Sequence, residues 1–285
     1  MISVVVETWN IAGDAARLQR VLGALDLRAA EVVVTYAGAR PLVDLPGAIS
    51  WVELAPDAGY YDHKNAGFDA STGDIVAFID GDCEPDPDWV AMIAGPIGRE
   101  EARVVAGMTS YAGALSPLAN QLDFPYFHTD RTHVRNFFAN NVAFARDVFA
   151  ARRYPELAMF HGQCQVLGLQ LLADRVPVLF APDARVTHAW PESPRDWLAV
   201  RLLRGADTAS LLPYVVAHYV PRASPVLAKL GRAPAIAVLG LRAFAGAWTA
   251  LRRGPIVRGL ALVAGVTVVD AIGAAAAPAV YRMIA

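Results

Sequence analysis

Residues 73–89 read G-D-I-V-A-F-I-D-G-D-C-E-P-D-P-D-W. The mostly apolar run at 74–79 ends abruptly in Asp80-Gly81-Asp82. Such a run predicts a fully buried parallel strand whose carboxyl end meets solvent, and open α/β sheets bind ligands at that edge. Two carboxylates flanking a glycine there can share one hard divalent cation, which takes oxygen ligands and commonly bridges nucleotide phosphates. Gly81 lets the backbone turn tightly enough to bring both carboxylates near the ion. Asp86-Pro87-Asp88-Trp89 then supplies an N-cap and a proline at the first helical position. A lone D-x-D triplet also fits an ordinary turn with Asp82 solvated, so the flanking sequence decides.

Immediately upstream, K-N-A-G-F-D-A-S-T-G at 64–73 predicts a small-residue helix feeding this strand. The run K-N-A-G-F-D-A-S-T-G-D-I-V-A-F-I-D-G-D, residues 64–82, resembles without gaps the nucleotide-sugar-binding core of the family-2 glycosyltransferases. The resemblance implies a GT-A-like α/β fold, a doubly wound, mostly parallel sheet with helices on both faces. It also implies a nucleotide-diphosphate sugar donor held through Mg²⁺ or Mn²⁺, with Asp80, Gly81 and Asp82 at the donor. Lys64 and Asn65 match the basic-residue–Asn pair that contacts the nucleotide in that family, and a lysine offers phosphate a point charge. The plain alternative for Lys64 is a solvated helix start.

At 285 residues the chain has room for one large α/β domain and a small appendage. A formal charge of −2 gives no reason to expect a nucleic-acid partner. Apolar residues make up 55% and charged residues 18% of the chain; with a mean hydropathy of +0.34, this points to contact with a membrane. Cys83 and Cys164 lack C-x-x-C spacing and indicate neither a disulfide scaffold nor a zinc site, so a reducing compartment is expected. The opening M-I-S-V-V-V lacks the basic region and cleavage signal of a secretory peptide and reads as a first strand, which leaves the amino-terminal domain in the cytosol.

Strands at 2–6, 31–35 and 49–54, with a helix at about 14–25, give the strand–helix alternation of a doubly wound sheet. In the resembled family the first strand ends in a Pro-Thr-Tyr-Asn-like segment under the nucleotide. Thr8, Trp9 and Asn10 fit it, which places Thr8 and Asn10 at the donor, while Glu7 takes the proline position. The family's second strand usually ends in Asp-Asp-Gly-Ser, where an aspartate meets the base or ribose. Here Tyr36-Ala37-Gly38-Ala39 stands instead; Tyr36 either stacks on the base or packs at the strand end. A strand is expected at 103–108, and 115–135 reads as irregular. Asn140 and Asn141, within a strand-like run at 137–146, resemble the Asn pair bordering the acceptor site; a structural hydrogen-bonding role is the rival reading.

Residues 162–184, G-Q-C-Q-V-L-G-L-Q-L-L-A-D-R-V-P-V-L-F-A-P-D-A, resemble the family stretch that begins Gly-Glu-Asp and ends Pro-Asp-Ala before a histidine. Gln163 sits at the Glu position, on the acceptor side. Cys164 sits where the family has the aspartate that deprotonates the acceptor hydroxyl, a step typically worth about 10²–10⁴-fold. A thiol of ordinary pKa, about 8.5, is a poor substitute. His161 acts as base instead, or the acceptor is an anionic phosphate such as a polyprenyl phosphate, or the domain binds donor without transferring it. His188 occupies the place of the histidine that completes the metal sphere beside Asp80 and Asp82. Arg201 and Arg204 follow, where the resembled enzymes often carry a basic helix closing over the diphosphate; a basic, membrane-surface helix fits equally.

Two nearly apolar stretches, 233–251 and 256–284, predict a helical hairpin turning at Arg252-Arg253-Gly254-Pro255. Nineteen helical residues span about 28 Å, close to the hydrocarbon thickness of a bilayer. Arg242 and Asp270 then fall at similar depth and are expected to pair. A crossing hairpin would carry Arg252, Arg253 and Arg258 to the far side, against the positive-inside tendency. The expected organisation is a GT-A-like domain at 1–215, with a nucleotide-binding half at 1–110 and an acceptor half at 111–215, then membrane-associated helices at 216–285. The expected function is metal-dependent transfer of a sugar, inverting as the resemblance implies, to a lipid-linked or saccharide acceptor at the cytoplasmic face of the membrane. The rival from another class is a catalytically impaired donor-binding or scaffold protein, suggested by Cys164.

Overall fold

The computed structural model describes residues 1–11, 14–25, 30–44, 49–113, 115–191, 193–222, 224–253 and 256–281. In chain order the elements are β1 (Ile2–Glu7), a single 3₁₀ turn (Trp9–Ile11), α1 (Ala15–Ala24), β2 (Glu31–Ala37), β3 (Ile49–Leu54), α2 (Tyr60–Ala70), β4 (Ile75–Asp80) and β5 (Cys83–Pro85). Then follow α3 (Trp89–Gly98), β6 (Val104–Tyr111), α4 (Ser116–Asp123), β7 (His133–Val134), β8 (Asn141–Ala145), α5 (Arg146–Ala151), α6 (Gln163–Ala173) and β9 (Val178–His188). The chain ends in α7 (Pro194–Tyr219), α8 (Ser224–Lys229), α9 (Ala233–Arg253), α10 (Ile256–Ala275) and α11 (Ala277–Tyr281). It divides into two compact units, one of residues 1–110, 126–156 and 170–189, the other of 111–125, 157–169 and 190–285.

The first unit is built on a sheet of order β3-β2-β1-β4-β8-β6-β9-β5, with β7 on β9. The doubly wound expectation describes β3-β2-β1-β4, whose pairs are all parallel. β8 then runs antiparallel to both β4 and β6, and β5 and β7 run antiparallel to β9. All six residues of β4 are buried, as its unbroken apolar run requires of a strand covered on both faces. α3 covers part of this sheet through Trp89, Val90, Ile93 and Ala94, which join a core with Val4, Val6, Ala77 and Ile79. Two registers fix the site: Glu7 lies opposite Asp80 across β1–β4, and Cys83 lies opposite His188 across β5–β9.

The second unit is helical. The stretch expected to be irregular contains α4, which starts with Ser116-Pro117 in its first turn, the position where a proline's missing N–H costs nothing. α7 runs on to Tyr219 through an internal Pro213. α10 packs against both α7 and α9. A Cβ at Gly205 would strike the backbone of Asp270, and one at Gly273 that of Leu202, so α7 and α10 touch backbone to backbone. Leu118, Leu122, Ala250, Val263 and Val266 form a small apolar core.

The expected Arg242–Asp270 pair forms, and it is part of a larger cluster. Arg201 donates from Nε to Asp270 Oδ1 at 2.8 Å and from Nη2 to Oδ2 at 2.7 Å. Arg201 also bonds Asp123, Arg204 pairs with Asp123 at 3.0 Å, and Arg242 reaches Asp270. Two C-terminal helices of 20 residues, 233–252 and 256–275, are long and apolar enough to cross a membrane. Of the expected hairpin turn at 252–255, residues 254 and 255 lie outside the described residues.

Candidate active site

β4 delivers Asp80 to the carboxyl edge of the parallel strands, and the chain then turns through Gly81. The Gly81 N–H donates to the Glu7 carbonyl at 2.8 Å, and a Cβ on Gly81 would stand 2.8 Å from that same oxygen. Close backbone approach is therefore what requires the glycine. Asp80 is almost wholly buried and heavily engaged. Lys64 Nζ, with 0% of its side chain exposed, lies 2.6 Å from Oδ1. Tyr60 donates its hydroxyl to both oxygens at 2.9 Å, and Asn10 Nδ2 donates to Oδ2 at 3.1 Å. The solvated helix start is thus not what Lys64 is: α2 buries it, and its charge answers Asp80.

Glu7, in the place of the family's proline, is fully buried beside this group. It accepts from the Trp9 N–H at 2.6 Å and from Asn10 Nδ2 at 3.0 Å. Burial first, and then the Asp80 charge, push its carboxyl well above the ordinary range against the opposing pull of Lys64. Glu7, Tyr60 and Cys83 are the site residues that the sequence reading left out. The parallel register that sets Glu7 against Asp80 is the signal that finds the first; nothing local to Tyr60 finds the second.

Asp82, Cys83 and His188 gather on the other side of the turn. The ligand atoms of Asp80, Asp82, Cys83 and His188 all lie within 4.8 Å of one another. His188 Nδ1 donates to the Ala189 carbonyl at 2.7 Å, because a carbonyl can only accept. That leaves the lone pair of the neutral ring on Nε2, which stands 3.7 Å from Asp82 Oδ2. This is too long for a hydrogen bond and suits two ligands of one ion bound at about 2.1 Å each. Burial raises the Asp82 carboxyl, His188 opposes that, and Asp80 adds to it. A site that resists holding two bare carboxylates is one that a cation would relieve, so the residues present fit a divalent metal.

The other expected donor residues lie close by or serve structure. Thr8 donates its hydroxyl to the Thr35 carbonyl at 3.0 Å, and Asn65 Nδ2 donates to the Tyr154 carbonyl at 3.0 Å. Thr8, Trp9, Ala37, Arg40, Leu42 and His63 line much of a cavity of about 560 Å³. Tyr36 packs its ring edge on Trp51, centroids 6.0 Å apart. Asn140 accepts from the Thr109 hydroxyl at 3.0 Å. Asn141 accepts from Trp89 Nε1 at 2.8 Å and donates to the Ala184 carbonyl at 2.9 Å, which is the structural role.

In the second unit, the chain before α6 is pinned from α7. Asp207 accepts the backbone N–H groups of Phe160 at 2.7 Å and His161 at 2.5 Å, and the Tyr281 hydroxyl at 2.7 Å. The His161 ring stacks on Phe160, centroids 3.7 Å apart. Gln163 donates from Nε2 to the carbonyls of Leu157 at 3.1 Å and Met159 at 3.0 Å. Cys164 is a buried thiol outside any disulfide, and it donates to the His161 carbonyl at 3.6 Å. Arg201 and Arg204 spend their charge on Asp123 and Asp270 within this unit. The expectation that they meet the donor diphosphate has to contend with those partners.

The sheet order and the grouped carboxylates fit the GT-A fold. Residues 36–155 match the family model described as Glycosyl transferase family 2, and the chain is a glycosyltransferase. It is similar to the mannosyltransferase PcManGT from Pyrobaculum calidifontis, solved with GDP-Man and Mn²⁺, at 16% identity and a TM-score of 0.63 over 97% of this chain and 86% of that one. Glucosyl-3-phosphoglycerate synthase from Mycobacterium tuberculosis, solved with Mn²⁺, UDP and phosphoglyceric acid, aligns at 18% identity and a TM-score of 0.51 over 76% of this chain and 78% of that one. TarS 1–349 from S. aureus, solved with UDP, aligns at 14% identity and a TM-score of 0.52 over 99% of this chain and 91% of that one. None of the curated proteins matches the chain.

Proposed function

We propose that this chain moves a sugar, with inversion, from a nucleotide-diphosphate sugar to a lipid-linked anionic acceptor, using a divalent cation. The observation that carries the metal dependence is the pairing of Asp82 with His188 at ligand spacing. Asp82 and His188 hold the ion, Mg²⁺ or Mn²⁺, with Asp80 beside them. When bound, it supplies Lewis-acid neutralisation of the departing diphosphate. Lys64 and Tyr60 fix Asp80 in place and Asn10 bridges it to Glu7, so the site is held in shape before donor arrives. The cavity lined by Thr8, Trp9 and Arg40 has room for a nucleoside.

The acceptor reading rests on Cys164. Buried in place of the usual aspartate, it offers no carboxylate to take a proton, and an acceptor phosphate that is already anionic has none to give. The exposed apolar residues of α9 and α10, among them Leu241, Phe244 and Val257, suit a lipid surface, larger apolar patches being marks of interaction. The test is release of nucleoside diphosphate by detergent-solubilised protein from a panel of nucleotide sugars with Mn²⁺, with and without polyprenyl phosphate. Release that needs both Asp82 and the lipid phosphate supports the proposal. Donor binding without release in every combination favours a donor-binding scaffold, and release with plain alcohol acceptors overturns the acceptor class.

A further inference from the structure

We propose that Cys83 is a further ligand of the metal centre, and that it makes the site select zinc-type borderline cations over Mg²⁺. The inference rests on the metal-dependent reading above and concerns which ion the site prefers. Cys83 directly follows Asp82, and the β5–β9 register sets it opposite His188. Directly opposed residues of an antiparallel pair project from the same face with their Cβ atoms about 4.5–5.5 Å apart. The thiol lies 3.6 Å from Asp82 Oδ1, and its sulfur is one of the four ligand atoms that fall within 4.8 Å of one another.

The chemistry of this donor set differs from an all-oxygen one. Asp80 is committed to Lys64, Tyr60 and Asn10. The side chains grouped across the turn from that commitment are then one carboxylate, one imidazole and one thiol. Mg²⁺ demands oxygen ligands and near-ideal octahedral geometry. Zinc and cobalt accept mixed sulfur, nitrogen and oxygen at about 2.0–2.3 Å, and thiolate shifts selectivity toward them. On binding, the thiol proton passes to solvent and a sulfur–metal bond forms; nothing is oxidised or reduced.

The plain rival is that Cys83 only packs: it is fully buried and belongs to the apolar core of the sheet, as free cysteines usually do. Titration of Co²⁺ into metal-free, detergent-solubilised full-length protein separates the two. The wild type is expected to show visible ligand-field bands together with a near-ultraviolet sulfur-to-cobalt charge-transfer band, saturating together. Cys83→Ser keeps the visible bands and loses the near-ultraviolet one, while Cys164→Ser keeps both. In competition, Cys83→Ser lowers Zn²⁺ affinity about 10–100-fold, at least what losing an outer-sphere partner costs, and leaves Mg²⁺ affinity unchanged. Should the serine variant fold poorly, Cys83→Ala reports the same loss. Visible bands without a near-ultraviolet one in the wild type, or a band that survives in both Cys83 variants, overturn the proposal. Failure of the wild type to bind either Co²⁺ or Mn²⁺ overturns the metal-dependent reading itself, and this proposal with it.

Discussion

His188 and Asp82, 106 residues apart in the chain, meet with Nε2 of one 3.7 Å from Oδ2 of the other. The Ala189 carbonyl occupies Nδ1, so Nε2 is the ring nitrogen left to face a cation held with the carboxylate. His188→Ala is expected to weaken Mn²⁺ binding by about 10–100-fold, in the range set by the loss of supporting metal partners. Calorimetric titration of Mn²⁺ into purified variant and wild type measures it. Equal affinities would remove His188 from the metal sphere.

The two aspartates of the turn are expected to behave differently when neutralised. Asp80→Asn leaves Lys64 wholly buried without its counter-charge, and breaking a buried pair from one side costs about 3–5 kcal/mol. Asp82 carries no such partner among the lysines and arginines paired in the described residues, and burial already disfavours its charge. Asp82→Asn is therefore expected to change stability by less than about 1 kcal/mol while stopping Mn²⁺-dependent nucleotide release. Denaturant unfolding of the two variants decides it, and equal losses of stability would refute the division of labour.

What the sequence disclosed follows from how local each signal is. The strand ending at Asp80 and the glycine of the turn are written within a few residues, and both form; α3 instead starts at Trp89, beyond the expected proline position, with no side-chain cap bond from Asp88. Glu7 against Asp80 and Cys83 against His188 are products of register between strands remote in sequence, which hydropathy does not encode. Lys64 reads as a phosphate contact or a solvated helix start; the fold instead buries it on Asp80, and only that carboxylate makes the burial tolerable. Asp123 went unnoticed because α4 is a short helix of 8 residues, although Ser116-Pro117 is a start signal. Arg242 and Asp270 were legible as a pair because an ionisable residue in an apolar helix needs one; Arg201, from a different kind of helix, was not.

The cluster around Asp270 makes a stability prediction. Asp270 is 0% exposed and receives both Arg201 and Arg242. Asp270→Ala leaves these two cations facing one another with only Asp123 to answer them, so a loss of about 3–5 kcal/mol is expected. Arg242→Ala should cost less, since Arg201 remains on Asp270. Thermal unfolding in detergent measures both. An Asp270→Ala protein as stable as the wild type would mean that the cluster contributes nothing to holding α10 on α7.

The same cluster sets an acid limit. Burial alone would raise the Asp123 carboxyl, but Arg204 and Arg201 outweigh it and hold the group well below the ordinary carboxylate range. A folded pKa below the unfolded value of about 3.9 means that the unfolded chain takes the proton first. The stabilisation is therefore fully present above that value and is lost as pH falls from about 4 toward the depressed folded pKa. Asp123→Asn should be less stable than the wild type at pH 7, with the gap narrowing below about pH 4. Unfolding midpoints at a series of pH values test this, and a gap that widens in acid would contradict it.

The C-terminal helices lead to the last prediction. On α9, Leu241, Phe244, Trp248 and Leu251 are exposed at helical spacing, and on α10 so are Val257, Leu260, Val268 and Ile272. The opposite faces are covered: Ala250, Val263 and Val266 pack with Leu118 and Leu122 of α4, while Gly273 and Asp270 lie against α7. A helix pair that crossed a bilayer would take α4 and α7 with it, and with them Asp123, Arg201 and Arg204. An amphipathic pair lying in one leaflet keeps those charges out of the hydrocarbon and places Trp248, with Arg252 stacked 4.1 Å above its ring, at the headgroup level. We expect the protein to bind vesicles containing anionic lipid with a blue shift of Trp248 emission. Burying a phenylalanine contributes about 1.5–3 kcal/mol, so Phe244→Ser should lower partitioning about tenfold or more. A cysteine placed at Arg258, beside the hairpin turn, should react with a membrane-impermeant maleimide on the side from which the protein was added. Protection of that cysteine, while one on the first unit stays reactive, would show that the hairpin crosses.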